Sequence, residues 1–303
     1  MNYHKKQWLE AIGVPSHYAF IRDIKLINSF TEKDFYGELY MQANGPGTYQ
    51  RILMLFPKNS GGPVPGVLVP FYFPEAMLGY NPFDHTDDLS KYNGIEMMLH
   101  LVKRGYAVAS ADSYHLTYIP ESGRERGDTW RWREAGAKLQ KEHPGWSGIG
   151  KLIFDTQLML DAFSADNRVD QKRIGIAGHS LGGKMAFYTG CLDERIKVIL
   201  ASDFGICWKQ TNWNDIWYWG EKVDRLIEAG MEHSSLLDAA APKPFFLLAG
   251  QYDNEESLIQ MKAAKTFAAY PECFGFCNHA SGHRPPKWAL EEGYAFLDKW
   301  LKY

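Results

Sequence analysis

A mostly parallel β-sheet flanked by helices is the fold class that this 303-residue sequence predicts. From residue 66 onward, short apolar runs alternate with helical patterns, and such runs are typical of strands buried on both faces of a parallel sheet. The runs cover residues 66–69, 106–111, 173–178, 196–201, 244–249 and 273–277. Strands that alternate with helices need right-handed crossovers, which cover the sheet with helices.

The remaining segments fill out this plan. Residues 1–60 predict antiparallel strands over 17–27, 35–41 and 49–56, because these stretches alternate or are rich in β-branched and aromatic residues. Helical patterns cover 90–104, 150–163, 181–191, 255–269 and 286–301. Neither a repeat nor a linker is visible, so we expect one domain over 1–303.

Two Trp-rich stretches, 114–146 and 204–235, interrupt the alternation of strands and helices. Both begin directly after the end of a predicted strand. Ligands in open α/β sheets bind beyond the carboxyl ends of the strands. We therefore expect these two insertions to act as lids that wall a pocket.

Composition and charge exclude several classes of protein. With 45% apolar and 23% charged residues, the chain has the composition of a globular protein. The net charge of −3 comes without a stripe of Lys and Arg, so neither nucleic acid nor a membrane is an expected partner. The N-terminus has no apolar run of signal-peptide length, which predicts a cytoplasmic protein unless a leader has been removed.

The four cysteines, Cys191, Cys207, Cys273 and Cys277, do not indicate a metal site. Cys273 and Cys277 are four residues apart, but no second pair and no histidine stands at zinc-ligand spacing. A phosphate loop and a dinucleotide glycine fingerprint are also absent from the sequence. We expect four buried free thiols, no metal and no cofactor.

The strongest signal of chemistry is the segment 178–183, Gly-His-Ser-Leu-Gly-Gly. It lies directly between a predicted buried strand and a predicted helix, which is the setting of a nucleophile elbow. Glycines avoid collisions at this strained turn, and the turn presents the hydroxyl of Ser180 at the top of the sheet. The backbone N–H of Leu181 can then face a developing oxyanion. A chance match is the alternative, since the Gly-x-Ser-x-Gly pattern alone is common.

A serine nucleophile needs a histidine base and a carboxylate that orients the histidine. His283 lies between the last predicted strand and the C-terminal helix, and it is preferred to His279, which is interpreted as a structural residue at the strand end. Asp253 follows the next-to-last predicted strand and stands between the serine and the histidine in the chain order of this motif. Asp203, after the preceding strand, is the rival acid. The sequence predicts a triad of Ser180, Asp253 and His283.

A second oxyanion donor is expected from the backbone directly after the strand over 66–69. The sequence there is Pro70-Phe71-Tyr72. Because proline has no N–H, Phe71 or Tyr72 must supply the donor.

Three aromatic side chains are candidates for the substrate pocket. His115 follows a strand in the first insertion. Trp213 and Trp217 lie four residues apart in the second insertion, where a helix would place them on one face. A tryptophan roof of this kind would limit the space beside the nucleophile. Plain core packing of these side chains is the alternative.

Together these motifs resemble the bacterial α/β-hydrolases grouped around dienelactone hydrolase and the acetyl xylan esterase-like enzymes. The resemblance runs from about residue 64 to the C-terminus and is carried by the segments 170–183, 192–197, 250–253 and 282–283. The segment 123–127, Gly-Arg-Glu-Arg-Gly, is similar to a Gly-Glu-Arg element of the esterase-like members. The resemblance implies the α/β-hydrolase fold and an esterase for small acyl groups, often on sugars. Dienelactone hydrolases use a cysteine nucleophile, so Ser180 argues against that activity.

The sequence thus predicts a serine carboxylic ester hydrolase that acts through an acyl-enzyme on a small-molecule ester with a short, acetyl-like acyl group. A peptidase or amidase with the same triad is one alternative. Prolyl peptidases of this fold usually carry a large propeller, for which residues 1–60 are too few. A hydrolase-like binding protein without turnover is the other alternative, and such a protein would normally have lost a triad member.

Overall fold

The computed structural model describes residues 3–15, 23–45, 47–58, 60–84, 89, 92–119, 129–240 and 242–302. Within these residues, nine strands form a single sheet in the order β1-β2-β3-β5-β4-β6-β7-β8-β9. The strands are β1 (Ile24–Thr31), β2 (Phe35–Gly45), β3 (Thr48–Pro57), β4 (Val64–Leu68), β5 (Ala107–Ala111), β6 (Val169–His179), β7 (Ile196–Ser202), β8 (Phe245–Ala249) and β9 (Phe274–Asn278). The pairs β1–β2, β2–β3 and β3–β5 are antiparallel, and every pair from β5 to β9 is parallel.

Helices cover both faces of the sheet. They are α1 (Tyr3–Ile12), α2 (Pro74–Leu78), α3 (Met97–Lys103), α4 (Tyr114–Thr117), α5 (Thr129–Glu142), α6 (Gly148–Ser164), α7 (Leu181–Leu192), α8 (Lys222–Glu228), α9 (His233–Ala240), α10 (Glu255–Lys262), α11 (Lys265–Ala269) and α12 (Lys287–Leu301). One hydrophobic core contains apolar side chains of α1, α6, α7 and α9, and a second core contains those of α2, α3 and α12. The predicted fold class, a mostly parallel sheet between helices, is confirmed.

The N-terminal part differs from the sequence prediction in one element. Antiparallel strands were expected there, but the chain begins with α1, which buries Trp8 and Ile12 against the core. The antiparallel strands follow as β1, β2 and β3. Part of the strand predicted over 17–27 lies outside the described residues, and β1 begins at Ile24.

Two predicted helices differ in extent. The pattern over 255–269 forms two helices, α10 and α11, because Ala264 adopts an extended conformation with ψ 131° between them. The pattern over 90–104 forms α3 from Met97 onward, and residues 90 and 91 lie outside the described residues. The chain leaves α3 through Gly105, whose φ of 90° is in the left-handed region expected after a helix end.

The two insertions have different local structures. In the first, α4 and α5 flank residues 120–128, which lie outside the described residues together with the element over 123–127. In the second, the chain forms irregular turns over 205–221 before α8 begins. Within the described part of the chain, no helix is both long and apolar enough to cross a membrane.

The cysteines follow the prediction with one difference. All four are free thiols, and Cys191, Cys273 and Cys277 are buried. Cys207 is only half-buried, because it lies in the irregular second insertion rather than in a strand or a core helix.

Candidate active site

Ser180 occupies the tight turn between β6 and α7. Its φ of 56° and ψ of −117° are strained values for a residue with a side chain, and they aim the side chain out of the turn. The turn needs glycine on both sides of the serine. A Cβ on Gly178 would lie 2.0 Å from the carbonyl oxygen of Gly182, and a Cβ on Gly182 would lie 2.0 Å from that of Pro70. Glycine at positions 178 and 182 therefore allows these backbone segments to approach closely, whereas any residue with a Cβ would collide there.

His283 lies beside Ser180, as the sequence predicts. Its Nε2 atom is 3.0 Å from Ser180 Oγ. The loop after β9 brings the ring there through Gly282, which has a φ of 80°. The ring packs between those of His179 and Tyr252, with centroid distances of 4.5 Å and 5.0 Å.

Two other histidines near the site have structural contacts. His179 is buried, its Nδ1 lies 3.0 Å from Ser202 Oγ, and burial lowers its pKa to about 3. His279 is also buried, and its Nδ1 accepts the backbone N–H of Ser281 at 3.2 Å. The preference for His283 over His279 as the partner of Ser180 agrees with this geometry.

The carboxylate beside His283 belongs to Asp203 and not to Asp253. Asp203 Oδ2 lies 2.6 Å from His283 Nδ1. The placement of Asp253 against His283 is therefore wrong. The side chain of Asp253 instead accepts three backbone N–H groups, each at 2.8 Å, from Phe204, Gly205 and Ile206.

The position of β7 beside β8 explains this exchange. The two strands are parallel neighbours, so their carboxyl ends meet and both aspartates reach the same region. Asp203 continues the ladder by donating its N–H to Leu248 O at 2.8 Å, and its φ of 43° then turns its side chain toward His283. The direction of each aspartate side chain at its strand end decides which of the two contacts His283. Chain order does not predict that direction.

The two aspartates hold each other's backbone. While Asp253 binds the N–H groups of 204–206, Asp203 Oδ1 accepts the N–H groups of Tyr252 at 2.8 Å and Asp253 at 3.0 Å. We call this reciprocal set of bonds the strand-end clasp. The segment that begins with Asp203 is called the 203–206 loop. Ser257, in the first turn of α10, adds a bond from its Oγ to Asp253 Oδ1 at 2.9 Å.

Burial and hydrogen bonds shift the pKa values of the two carboxyls in opposite directions. Burial alone would raise the pKa of Asp203, but the bonds from His283 and from the backbone of 251–253 outweigh it and lower that pKa. For Asp253, burial dominates over the bonds from the backbone and from Ser257, and its pKa is raised. The lowered pKa keeps Asp203 an anion at neutral pH, in which form it can accept the hydrogen bond from His283.

A cavity of about 410 Å³ opens over these groups. Its lining residues are mostly polar: Tyr72, Ser180, Lys184, Asp203, Thr211, Asn212, Tyr218, Tyr252 and His283. A larger depression of about 630 Å³ around Asp161 and Arg195 contains neither Ser180 nor His283. The predicted catalytic residues Ser180 and His283 therefore lie at the smaller cavity.

The second insertion lines this cavity, as predicted, but with side chains other than the predicted tryptophans. Thr211, Asn212 and Tyr218 line the cavity. Lys184 was also missed, although it follows Ser180 by one helical turn and so shares its end of α7. Tyr252 had a comparable signal, since it adjoins an aspartate that the sequence analysis did single out.

The three predicted pocket residues lie behind the cavity wall. Trp213 and Trp217 are buried, and the turns around them replace the helix that would have given them a common face. The indole N–H of Trp213 donates to Gly205 O at 2.7 Å. His115 is fully buried against Ser113 Oγ at 2.9 Å, and burial lowers its pKa to about 3. The expected lining by these three side chains is wrong, because each is packed into the core.

The backbones of the predicted oxyanion donors adjoin the turn that carries Ser180. Leu181 is the first residue of α7, whose N-terminal N–H groups lie next to Ser180. Phe71 and Tyr72 follow β4, in the segment whose Pro70 carbonyl approaches Gly182. Their role as oxyanion donors stays a prediction.

Comparison with known proteins adds evidence on the fold. No protein-family model matches the sequence. A relative from Bacillus subtilis, "Putative hydrolase YtaP", is 29% identical over 217 residues, which cover 66% of this chain and 67% of that protein. A glucuronoyl esterase from Solibacter usitatus superposes with a TM-score of 0.71 at 14% identity, over 97% of this chain and 90% of that chain. An acetyl xylan esterase from a Paenibacillus species gives a TM-score of 0.58 at 18% identity, over 92% and 88%.

At identities of 14% and 18%, these structural likenesses establish the fold. The resemblance to acetyl xylan esterase-like proteins is confirmed at that level, whereas the features particular to dienelactone hydrolases are not confirmed. The chain has the α/β-hydrolase fold, with Ser180 at the strand–helix elbow of that fold.

Proposed function

We propose that this chain is a serine carboxylic ester hydrolase. The observation that carries the proposal is the connected set Ser180, His283 and Asp203, with distances of 3.0 Å and 2.6 Å, at the wall of a polar cavity. A serine hydroxyl at hydrogen-bond distance from a histidine that is itself held by a buried carboxylate is the arrangement that acyl transfer requires.

Each group has a defined step in the proposed reaction. Asp203 accepts a hydrogen bond from the Nδ1–H of His283 and so keeps the proton on Nδ1. Nε2 is then free to take the proton of Ser180 as Oγ attacks the ester carbonyl carbon. The N–H of Leu181, together with that of Phe71 or Tyr72, stabilises the oxyanion. The alcohol leaves with the proton from His283, and water then releases the acyl group by the same steps.

We further propose that the substrates are short-chain esters of sugars. A cavity of about 410 Å³ leaves little room for a long acyl chain, and its hydroxyl, amide and amine groups suit a hydroxylated alcohol. Among proteins of the same fold, the neighbours named above are an acetyl xylan esterase and a glucuronoyl esterase. Their names support a sugar ester as the substrate class.

Lys184 brings an amine into this cavity. Its Nζ donates to Phe204 O at 2.9 Å and to Thr211 Oγ1 at 3.3 Å, and it lies 4.4 Å from the centre of the Trp213 ring. In its protonated form the amine keeps a third N–H for an oxygen of the substrate. Burial lowers the pKa of Lys184 to about 7, against the opposing effect of Asp253, Asp215 and Asp203.

Replacement of the nucleophile tests the reaction class. Ser180→Ala is expected to reduce ester hydrolysis about a thousandfold or more without loss of folding. The measurement is steady-state hydrolysis of p-nitrophenyl acetate, with circular dichroism as the check on folding. Near-normal turnover by a folded variant would overturn the proposed function.

A panel of substrates tests the proposed specificity. We expect p-nitrophenyl acetate to butyrate to be hydrolysed with higher kcat/KM than octanoate or decanoate, and acetylated sugars to be better substrates than simple alkyl acetates. The small polar cavity is the reason. Preference for long chains would contradict the short-acyl proposal, cleavage of anilides over esters would favour an amidase, and no turnover of any compound would favour a binding protein.

The buried amine predicts a pH dependence of stability. An unfolded lysine titrates near 10.4, whereas folding lowers the pKa of Lys184 to about 7. Between these values the unfolded chain binds the extra proton, so the contribution of Lys184 to stability rises as pH rises. Urea unfolding between pH 7 and 9 should therefore show a steeper upward slope for the unaltered protein than for Lys184→Met.

The matched control for this comparison is Lys25→Met, which alters an exposed lysine on β1. It should keep the slope of the unaltered protein. An equal slope in Lys184→Met and in the unaltered protein would contradict the electrostatic account.

A further inference from the structure

Buried side chains hold the backbone of residues 204–206 on both its donor and its acceptor side. The N–H groups of these residues all donate to Asp253. Each carbonyl oxygen accepts from a different side chain: Phe204 O from Lys184 Nζ at 2.9 Å, Gly205 O from Trp213 Nε1 at 2.7 Å and Ile206 O from His233 Nδ1 at 2.5 Å. Side chains, rather than a strand or a helix, thus satisfy every backbone polar group of this segment.

His233 links the backbone of this segment to buried side chains through a chain of hydrogen bonds. A carbonyl oxygen only accepts, so Nδ1 of His233 carries the proton and Nε2 is an acceptor. Nε2 accepts from the hydroxyl of Tyr188 at 2.6 Å, and that oxygen accepts from Trp219 Nε1 at 3.2 Å. Burial lowers the pKa of His233 to about 3, which keeps the ring neutral and its tautomer constant at neutral pH.

The 203–206 loop needs such support because its conformation is unfavourable. Asp203 has a φ of 43°, in a region that residues with side chains rarely adopt. A strained residue keeps its conformation only where its surroundings over-determine it. The bonds to residues 204–206, directly after Asp203, are surroundings of this kind.

We propose that Trp213 and His233 are positioning residues for the carboxylate of Asp203. The inference rests on the proposed function, in which Asp203 orients His283. Neither residue touches the reacting atoms. Their donated hydrogen bonds to Gly205 O and Ile206 O hold the loop so that Asp203 keeps its place against His283.

A neighbouring tryptophan provides a matched control. Trp208 packs against the same His233 ring as Trp213, with centroid distances of 4.2 Å and 4.9 Å. Its indole N–H also donates to a backbone carbonyl, that of Met231 at 3.0 Å. Met231 is outside the 203–206 loop. Removal of this bond therefore disturbs the same core without releasing the loop.

The experiment compares Trp213→Phe with Trp208→Phe by two readouts. The first is the downfield proton resonance of His283 Nδ1–H in the resting protein, identified by its loss in His283→Gln. The second is kcat and KM for p-nitrophenyl acetate. For Trp213→Phe we expect a shifted or broadened resonance and a kcat reduced about tenfold or more, with KM within about twofold, because a displaced catalytic group affects the chemical step.

For Trp208→Phe we expect the resonance and the kcat of the unaltered protein, with a loss of thermal stability similar to that of Trp213→Phe. Equal kcat losses in both variants, or an unchanged resonance in Trp213→Phe, would overturn the proposal. The resonance is measured without substrate. Failure of the unaltered protein to hydrolyse any ester would therefore refute the proposed function and leave the positioning test intact.

A second pair of variants covers the case in which Trp213→Phe does not fold. His233→Asn retains an N–H donor at the position of Nδ1, whereas His233→Leu removes it. We expect the resonance and kcat to be retained in His233→Asn and lost in His233→Leu. Equal behaviour of these two variants would contradict a role for the bond to Ile206 O.

Discussion

The strand-end clasp is the interaction on which the candidate site depends. Asp203 and Asp253 stand at the ends of two adjacent parallel strands, and each carboxylate binds backbone N–H groups beside the other. Five N–H groups are satisfied in this way, in a region where an unpaired polar group would be costly. In the clasp, Oδ1 of Asp203 accepts backbone N–H groups while Oδ2 contacts His283. Both oxygens of Asp253 accept from residues 204–206 and Ser257 instead. The backbone geometry therefore explains why one of two similar carboxylates contacts His283 and the other binds only the backbone and Ser257.

The same geometry explains which parts of the fold and of the candidate site could be predicted from the sequence. Apolar runs, the Gly-x-Ser-x-Gly setting and the histidine after the last strand predicted the parallel sheet, Ser180 and His283, because each depends on local pattern and chain order. Strand pattern and chain order alone do not show which aspartate lies beside His283. Asp203 and Asp253 both follow strands, and the 43° φ of Asp203 that decides between them is a tertiary feature. One local signal did distinguish them: Asp253 precedes Asn254, the capping residue of α10, and Ser257 of its first turn binds it.

The directions of the tryptophan side chains in the second insertion also could not be predicted from the sequence. Their number indicated a wall over the site, and the insertion does contribute Thr211, Asn212 and Tyr218 to the cavity. Trp213 itself is directed inward, because its indole N–H has a backbone acceptor at Gly205 and its ring packs on Tyr188 and Lys184. Large aromatic groups with one polar atom favour such half-polar core positions. The smaller polar residues between the tryptophans are left to face the cavity, and aromatic content alone does not predict which of them do.

The central claim is that Asp203 orients His283 while Asp253 holds the backbone, and kcat measured for Asp203→Asn and Asp253→Asn tests it most directly. Both variants are compared on p-nitrophenyl acetate at a temperature where both are folded. Asp203→Asn should lose about a thousandfold or more in kcat with little change in stability, because the amide offers the wrong partner to His283 Nδ1 while its oxygen still accepts from Tyr252. Asp253→Asn should lose about 2 kcal/mol of stability. Its loss of kcat should be at least tenfold smaller than the loss in Asp203→Asn. A greater loss of kcat in Asp253→Asn than in Asp203→Asn would contradict the account.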